Sequence, residues 1–276
     1  MADLSKTVEA LGRFERRGPC TDAERRAAGW LHNDLRARGH EAWVETHWVR
    51  PQWALSLALH AVLGVIASVT AIYVPAAGLA LALLAAVSLA VEATGRTGLL
   101  RLAFPRRATQ NVLTVPAAGR ARTLLICARY DAGRTPGPRA WLVIACLAVA
   151  ACAAARLAGV DGLALGIAQF VPTVALLVGL AWVTGLAPSR RPSEADAGAR
   201  CAAVALALHD ELSRNPPERL APALLLYGAG SAGQQALRSH LRRDRVDRAA
   251  TAVLELGPAT DLRSALAAVD ELDREP

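Results

Sequence analysis

The chain has 276 residues, of which 53% are hydrophobic and only 4% aromatic. Soluble domains hold about 45–50% apolar residues even when glycine is counted, so this excess predicts contact with lipid. The formal net charge of +7 comes almost entirely from arginine, since Lys6 is the only lysine. Five cysteines, an odd number with no C-x-x-C pair, indicate neither a disulfide framework nor a zinc finger.

The N-terminal segment shows the pattern of a helix followed by a strand. Thr21 is in the position of an N-cap, and Glu24, three residues later, completes a capping box. Gly39 stands where a C′ glycine ends a helix, and residues 42–49 have the composition of a strand. An earlier helix is expected over residues 4–16.

Four apolar runs interrupt the polar sequence. The first, Trp53 to Val74, contains His60 as its only residue that titrates near neutral pH. About 20 helical residues cross a hydrocarbon core of about 30 Å, so this run is long enough to span a bilayer. A second run covers residues 76–91, a third starts at Trp141 and a fourth ends near Leu186. We expect four transmembrane helices in two hairpins, rather than buried helices of a large soluble core.

The distribution of arginine sets the expected orientation. Nine arginines lie in residues 95–139, between the two predicted hairpins, against one acid, Asp131. The short turns at residues 73–78 and 157–162 contain no lysine or arginine. By the positive-inside rule the soluble segments face the cytoplasm and the turns face outward. The expected partners are the lipid bilayer and other membrane proteins, with no nucleic acid. The alanine-rich and arginine-rich usage favours a bacterial cell membrane.

Strand and helix patterns alternate outside the apolar runs. Strands are predicted at residues 109–115 and 122–128, joined by a turn at 116–119. They are followed by a helix over 194–214, a strand over 222–227, a helix over 231–243 and a strand over 250–256. This order predicts an α/β domain, a mixed sheet with flanking helices that is largely parallel in its second half. Its parts are residues 1–52, 94–139 and 188–276, with transmembrane hairpins at 53–93 and 140–187.

Three local sequences in these segments share a resemblance. Thr109-Gln110-Asn111-Val112 is similar to a T-x-N-V/I strand, and Ala128-Arg129-Tyr130-Asp131 to an A-H-Y-D sequence. Asn215-Pro216-Pro217 is similar to an N-P-P linker that precedes a buried strand. Together they resemble the co-catalytic two-zinc aminopeptidases, the group of bacterial leucyl aminopeptidase, glutaminyl cyclase, glutamate carboxypeptidase II and the transferrin receptor. The similarity covers residues 19–50, 109–135 and 192–257, with the hairpins as insertions.

The resemblance implies a zinc-peptidase-like domain whose metal centre is degenerate. Arg129 stands where the first zinc-binding histidine would be, and an arginine does not lose its proton to bind zinc. The family's Glu-Glu pair, a base and a ligand, falls on Gly230 and Ser231, so both carboxylates are missing. No element matches the final histidine before the chain reaches Pro276. The remnant metal positions are therefore Arg129, Asp196 and Glu255, and the remnant catalytic positions are Asp131, Gly230 and Ser231.

Simpler interpretations exist for the acidic residues among these positions. Asp131 is either the acid that orients the first histidine in the family, here paired with an arginine such as Arg129, or a solvated surface residue. Asp196 corresponds to the bridging aspartate, and it equally suits the first turn of a helix, where the helix dipole favours an acid. Glu255 corresponds to an acidic ligand or is a polar residue at a strand end.

Other patterns point to chemistry less specifically. Residues 228–233 fit G-x-G-x-x-G between a strand and a helix, but no acid follows at the spacing of a dinucleotide site. The six histidines show no metal-ligand spacing. His60 is either a functional intramembrane group or a neutral histidine at a helix contact. Ser231 has no visible histidine and aspartate partners, so a serine hydrolase is not predicted.

Three functions follow from the sequence. The first is a membrane-embedded, catalytically inactive relative of the two-zinc aminopeptidases with a scaffold, binding or regulatory role and no cofactor. The second is an active membrane-bound zinc-dependent peptidase. The third is a small membrane transport or assembly subunit in which the soluble part organises the hairpins.

Overall fold

A computed structural model describes residues 2–116, 120, 122–133, 140–185, 195–243, 247 and 250–274. The chain divides into two compact units, each made from separate stretches of sequence. The α/β unit comprises residues 1–51, 106–135 and 192–276, and the helical unit comprises residues 52–105 and 136–191. Two insertions in the α/β unit therefore supply the whole helical unit.

Nine α-helices and five strands lie in the described residues. The helices are α1 (Ala2–Gly12), α2 (Asp22–Ala37), α3 (Trp53–Tyr73), α4 (Pro75–Ala93), α5 (Ala140–Leu157), α6 (Leu163–Thr184), α7 (Ala195–Arg214), α8 (Gln235–Arg243) and α9 (Leu262–Arg274). The strands are β1 (Ala42–Val49), β2 (Arg107–Thr114), β3 (Arg122–Arg129), β4 (Leu220–Tyr227) and β5 (Thr251–Leu256).

The α/β unit is built on one mixed sheet with the strand order β1-β2-β4-β3-β5. Strands β3, β4 and β5 run parallel, whereas β2 is antiparallel to both β4 and β1. The parallel second half of the sheet is thus confirmed. The β2–β3 connection does not join neighbouring strands, because β4 pairs between them. Residues 117–119 of the predicted turn lie outside the described part of the chain.

Helices cover both faces of this sheet. Successive residues of β3 point to opposite faces, so Ile126 packs in one apolar cluster with α2 and α7, and Cys127 packs in another with Leu237 of α8. Every residue of β4 is buried. A central strand covered on both sides needs a continuous apolar run, which explains the sequence Leu224-Leu225-Leu226.

The ends of α2 follow from local sequence. The Thr21 hydroxyl accepts a hydrogen bond from the amide of Glu24 at 3.2 Å, which confirms the N-cap. The predicted capping box is only half present, because the Glu24 carboxylate accepts from the amide of Cys20 at 2.7 Å instead of that of Thr21. Gly39 has a φ of +87° and follows the C-cap Arg38, as its C′ position requires.

Four long apolar helices form the helical unit. Helices α3 to α6 contain 21, 19, 18 and 22 residues, and each is long and apolar enough to cross a membrane. They pack on one another through α3–α4, α4–α5, α3–α6 and α5–α6 contacts. Many of their large apolar side chains are nevertheless exposed, including Ile66, Ile72, Val87, Ile144 and Phe170. Such an exposed apolar surface is consistent with a membrane protein.

Two predicted helices differ in extent from the structure. The helix expected over residues 231–243 is instead a short 3₁₀ turn at Gly230–Ala232 followed by α8, which begins at Gln235. Gly233 between them has a φ of +94°, which a continuous α-helix does not allow. Helix α1 ends at Gly12 rather than at residue 16. The structure also contains a helix that the sequence did not predict, α9.

Candidate functional site

The carboxyl ends of the parallel strands meet at one edge of the sheet, which we call the sheet-edge site. Its residues are Glu24, Arg129, Asp131, Gly230, Ser231 and Glu255. Arg129 ends β3 and lies opposite Tyr227, which ends β4. The Tyr227 hydroxyl donates a 2.7 Å hydrogen bond to the exposed Glu255 of β5. Burial, followed by the charge of Glu255, raises the pKa of Tyr227 above its usual range.

Asp131 is an interior residue of this site. Its carboxylate is fully buried and accepts hydrogen bonds from the amide of Ser231, 3.2 Å from each oxygen, and from the amide of Gly133 at 3.4 Å. The interpretation as a solvated surface acid is therefore wrong. The predicted arginine partner is also not found, because all the hydrogen bonds of Asp131 within the described residues come from main-chain amides.

Gly230 packs tightly against the ends of β3 and β4. A methyl group at this residue would lie 2.6 Å from Cβ of Arg129, 2.8 Å from Cε2 of Tyr227 and 2.9 Å from Oδ1 of Asp131. The next side chain, Ser231, is completely buried, and its hydroxyl makes no hydrogen bond within the described residues. The structure thus brings Arg129, Asp131, Gly230 and Ser231 together and connects Glu255 to them through Tyr227.

Asp196 is the second residue of α7, in its first helical turn. The side chain of Asp196 lies outside what the structure describes. Two residues later, Gly198 packs directly on the main chain of Asp131, where an added methyl would lie 3.0 Å from the carbonyl carbon. The start of α7 therefore approaches the sheet-edge site.

Glu24 is a residue of this site that the sequence indicated only as a helix cap. Its carboxylate accepts hydrogen bonds from the amides of Ala229 at 2.5 Å and Cys20 at 2.7 Å, and from the Thr109 hydroxyl at 3.0 Å. Burial, with the nearby charge of Asp131, raises the pKa of Glu24 to about 7. Two of its three partners come from β2 and from the loop after β4, so only the folded chain reveals this role.

The glycine-rich loop at residues 228–233 uses its amides internally. In a dinucleotide site such amides face a phosphate at the start of a helix. Here the amide of Ala229 donates to Glu24 and that of Ser231 donates to Asp131. The carboxylates of Glu24 and Asp131 thus accept the hydrogen bonds that a phosphate accepts in a dinucleotide site.

Two clusters of histidines and acids lie elsewhere in the α/β unit. His47 and His240 both contact the carboxylate of Glu45, and His40 and His209 gather near Asp210. Four of the six histidines thus lie in these clusters, although the six show no metal-ligand spacing along the sequence. Each cluster joins residues about 170 or more positions apart, which a local spacing pattern does not detect.

The second of these clusters borders an open cleft of about 280 Å³. His40 Nε2 lies 2.9 Å from Asp210 Oδ1, and the His40 and His209 rings meet edge to face at 4.5 Å. His209 Nε2 lies 3.2 Å from the Thr114 hydroxyl, and its Nδ1 makes no hydrogen bond within the described residues. Burial lowers the pKa of His209 to about 4, with the positive form of His40 adding to the effect.

His60 belongs to a buried polar network inside the helical unit. Its Nδ1 lies 2.7 Å from the Ser56 carbonyl oxygen and its Nε2 lies 2.9 Å from the Ser88 hydroxyl. The Ser56 hydroxyl donates to Glu92 at 2.6 Å, and Arg101 lies 3.9 Å from the same carboxylate. All five side chains are almost completely buried. His60 is therefore one member of a connected network that includes a charged pair.

Comparison with protein-family models, curated proteins and solved structures finds no match to this chain.

Proposed function

We propose that this chain is an integral membrane protein whose α/β unit descends from the two-zinc aminopeptidases and now serves as a binding, scaffold or regulatory domain without peptidase activity. The observation that carries the proposal is the packing of Arg129 against Gly230, at the two positions where the resemblance implies a zinc ligand and a catalytic carboxylate. The buried Arg129 brings a permanent positive charge there.

The residues of the sheet-edge site do not suit a pair of zinc ions. Such a centre uses histidine and carboxylate ligands, a shared carboxylate and a glutamate that acts as base. Arg129 cannot ligate, and a longer side chain at Gly230 would collide with Arg129 and Tyr227. Both oxygens of Asp131 already accept from the Ser231 amide. These contacts support a site that is held closed by its own residues.

A combined metal and peptidase measurement tests the loss of activity. The full chain is purified in detergent, and its zinc content and its hydrolysis of aminoacyl nitroanilides are measured with and without EDTA. We expect no EDTA-sensitive hydrolysis, and we expect Glu255→Gln to leave the zinc content unchanged. Two zinc ions per chain, with hydrolysis that EDTA abolishes and Glu255→Gln reduces, would instead establish the active zinc-dependent peptidase.

The proposal includes the arrangement of α3 to α6 as two transmembrane hairpins with the α/β unit in the cytoplasm of a bacterial cell. Nine arginines in residues 95–139 and none in the short turns support it. Reporter fusions at Gly159 and at Pro276 should report opposite sides of the membrane. Fusions that report the same side would refute the hairpin arrangement, but they would not bear on the proposal that peptidase activity is lost.

A transport or assembly subunit is the second candidate, and the polar network around His60 favours it. Ionisable groups inside membrane helices cost free energy to bury in the bilayer, and they often mark ion pathways or subunit contacts. If this function holds, His60→Leu should abolish the transport or co-purification of partner subunits while the chain still folds. Unchanged behaviour of a folded His60→Leu variant would leave the network with a packing role alone.

A further inference from the structure

The cluster on β1 and α8 has the composition of a transition-metal site. Glu45 and His47 are two residues apart on β1, so their side chains point to the same face of the sheet. Helix α8 packs on that strand and contributes His240. Two imidazoles and one carboxylate form the ligand set of several zinc sites. This cluster shares no residue with the sheet-edge site.

The separations of its ligand atoms approach those of a metal shell. Zn–N bonds of about 2.0–2.1 Å and Zn–O bonds of about 2.0–2.2 Å place the ligands of a tetrahedral ion about 3.3–3.5 Å apart. Here Oε2 of Glu45 lies 3.2 Å from Nε2 of His47 and 2.9 Å from Nδ1 of His240. All three ligand atoms lie within 4.8 Å of one another. Displacements of about 0.5 Å would therefore open the Glu45–histidine separations to those of a metal shell.

Neighbouring groups hold two of the three ligands in place. The Ser239 hydroxyl lies 3.2 Å from Nδ1 of His47, leaving Nε2 directed at Glu45. The Trp43 indole N–H donates to Oε1 of Glu45 at 3.4 Å, leaving Oε2 for the histidines. Supporting contacts of this kind fix ligand orientation in metal sites. The side chains of His47 and His240 are 1% and 8% exposed, whereas that of Glu45 is 26% exposed, so solvent reaches the cluster from one side.

The cluster around Asp210 is a poorer cation site although its composition is similar. The guanidinium of Arg38 lies 2.5 Å from Oδ2 of Asp210 and also donates to Asp34. A cation bound there would lie close to this permanent positive charge. The Thr114 hydroxyl accepts a hydrogen bond from the amide of Leu224 and also lies 3.2 Å from Nε2 of His209, so this nitrogen already has a partner. This second cluster serves below as an internal comparison.

We propose that Glu45, His47 and His240 bind one Zn²⁺ ion, with a fourth position open to water or to an external ligand. The ion ties α8 to the edge strand β1. This site is independent of the proposed function, because neither the membrane helices nor the closed sheet-edge site contributes to it.

Metal titration of the full chain in detergent tests the proposal. After EDTA treatment and dialysis, Zn²⁺ is added in competition with a chromophoric chelator, and Co²⁺ is added separately to record the absorption bands of a tetrahedral site. We expect one Zn²⁺ per chain and a tetrahedral Co²⁺ spectrum. Glu45→Gln and His240→Gln should each weaken Zn²⁺ binding by about 100-fold or more, because supporting residues alone are worth about 10–100-fold.

Matched substitutions control for general effects of removing a histidine. His32→Gln, in α2 and outside both clusters, and His209→Gln, in the Asp210 cluster, should leave the affinity unchanged. Asp131→Asn should do the same, and this variant separates the site from any zinc bound at the sheet edge. The proposal is overturned if the chain binds no Zn²⁺ saturably, if binding survives both Glu45→Gln and His240→Gln, or if His209→Gln or Asp131→Asn abolishes it.

Hydrogen exchange on the unsubstituted chain keeps the test decisive if a variant does not fold. Bound Zn²⁺ should slow the exchange of amides in α8 and β1, since the ion connects these two elements. Equal exchange rates with and without Zn²⁺ in both elements would overturn the proposed link.

Discussion

Substitution of Gly230 by alanine tests how closely the sheet-edge site is packed. The new methyl group would lie 2.6 Å from Cβ of Arg129 and 2.8 Å from a ring carbon of Tyr227. Carbon atoms in good contact are about 3.5–4.0 Å apart, so the loop after β4 must move by about 1 Å or displace both neighbours. Cβ of Arg129 is fixed by the paired backbone of β3, which leaves the loop as the part that yields.

The expected cost follows from two opposing effects. Overpacking of a core typically costs about 1–3 kcal/mol. Replacing glycine by alanine returns about 0.4–1 kcal/mol, because the unfolded chain loses conformational freedom. We therefore expect Gly230→Ala to lower the free energy of unfolding by about 1–2 kcal/mol. In a unit of roughly 170 residues this shifts the melting temperature down by about 2–8 °C.

The assay is thermal unfolding of the full chain in detergent at a fixed scan rate, followed by tryptophan fluorescence. Gly18→Ala is the matched control, because Gly18 also lies in a loop and an added methyl would make only an ordinary 3.7 Å contact with Thr21. This control should melt at or slightly above the temperature of the unsubstituted chain. A Gly230→Ala variant as stable as Gly18→Ala would refute the close packing and remove the main support for the inactive centre.

Two further predictions concern buried charges. Burial raises the pKa of Glu24 in the folded chain to about 7, above its usual 4.5, so the contribution of Glu24 to stability should be full below about pH 4.5 and be lost as the pH rises through 7, by about 3 kcal/mol in all. Urea unfolding at pH 5 and pH 8 should show this loss in the unsubstituted chain and much less of it in Glu24→Gln. An equal pH dependence in the two proteins would contradict the prediction. In the helical unit, Arg101→Met should remove the ion pair of Arg101 with the buried Glu92 carboxylate and lower the free energy of unfolding by about 3 kcal/mol or more. Adding Glu92→Gln should restore much of the lost melting temperature. A double variant no more stable than Arg101→Met would argue against the ion pair.

Local sequence predicted the elements well where short-range chemistry decides them. Thr21 and Gly39 mark the ends of α2 because a hydroxyl cap and a positive φ act within a few residues. The four apolar runs predicted α3 to α6 because length and composition alone decide whether a helix suits a bilayer.

Long-range pairing explains what the sequence did not show. The register of β4 between β2 and β3 depends on residues about 100 positions apart, so the order of the strands was not predicted. Glu24 is a residue of the sheet-edge site because it accepts a hydrogen bond from Ala229, which is 205 positions away in the sequence. His47 and His240 are separated by 193 positions and meet because α8 packs on β1. Tertiary packing, rather than any local pattern, creates these contacts.

The position of β4 at the centre of the sheet has a consequence for biosynthesis. Strand β3 is complete at Arg129, but its neighbour β4 begins at Leu220, 91 residues later. At about 5–20 residues per second the ribosome needs about 5–20 seconds to deliver it, and α5 and α6 emerge in the interval. During that time β2 and β3 present unpaired, apolar edges, which are the surfaces most prone to aggregate. The nascent chain therefore exposes these edges until β4 is made, and mutations that slow the folding of α5 and α6 should reduce the yield of folded chain.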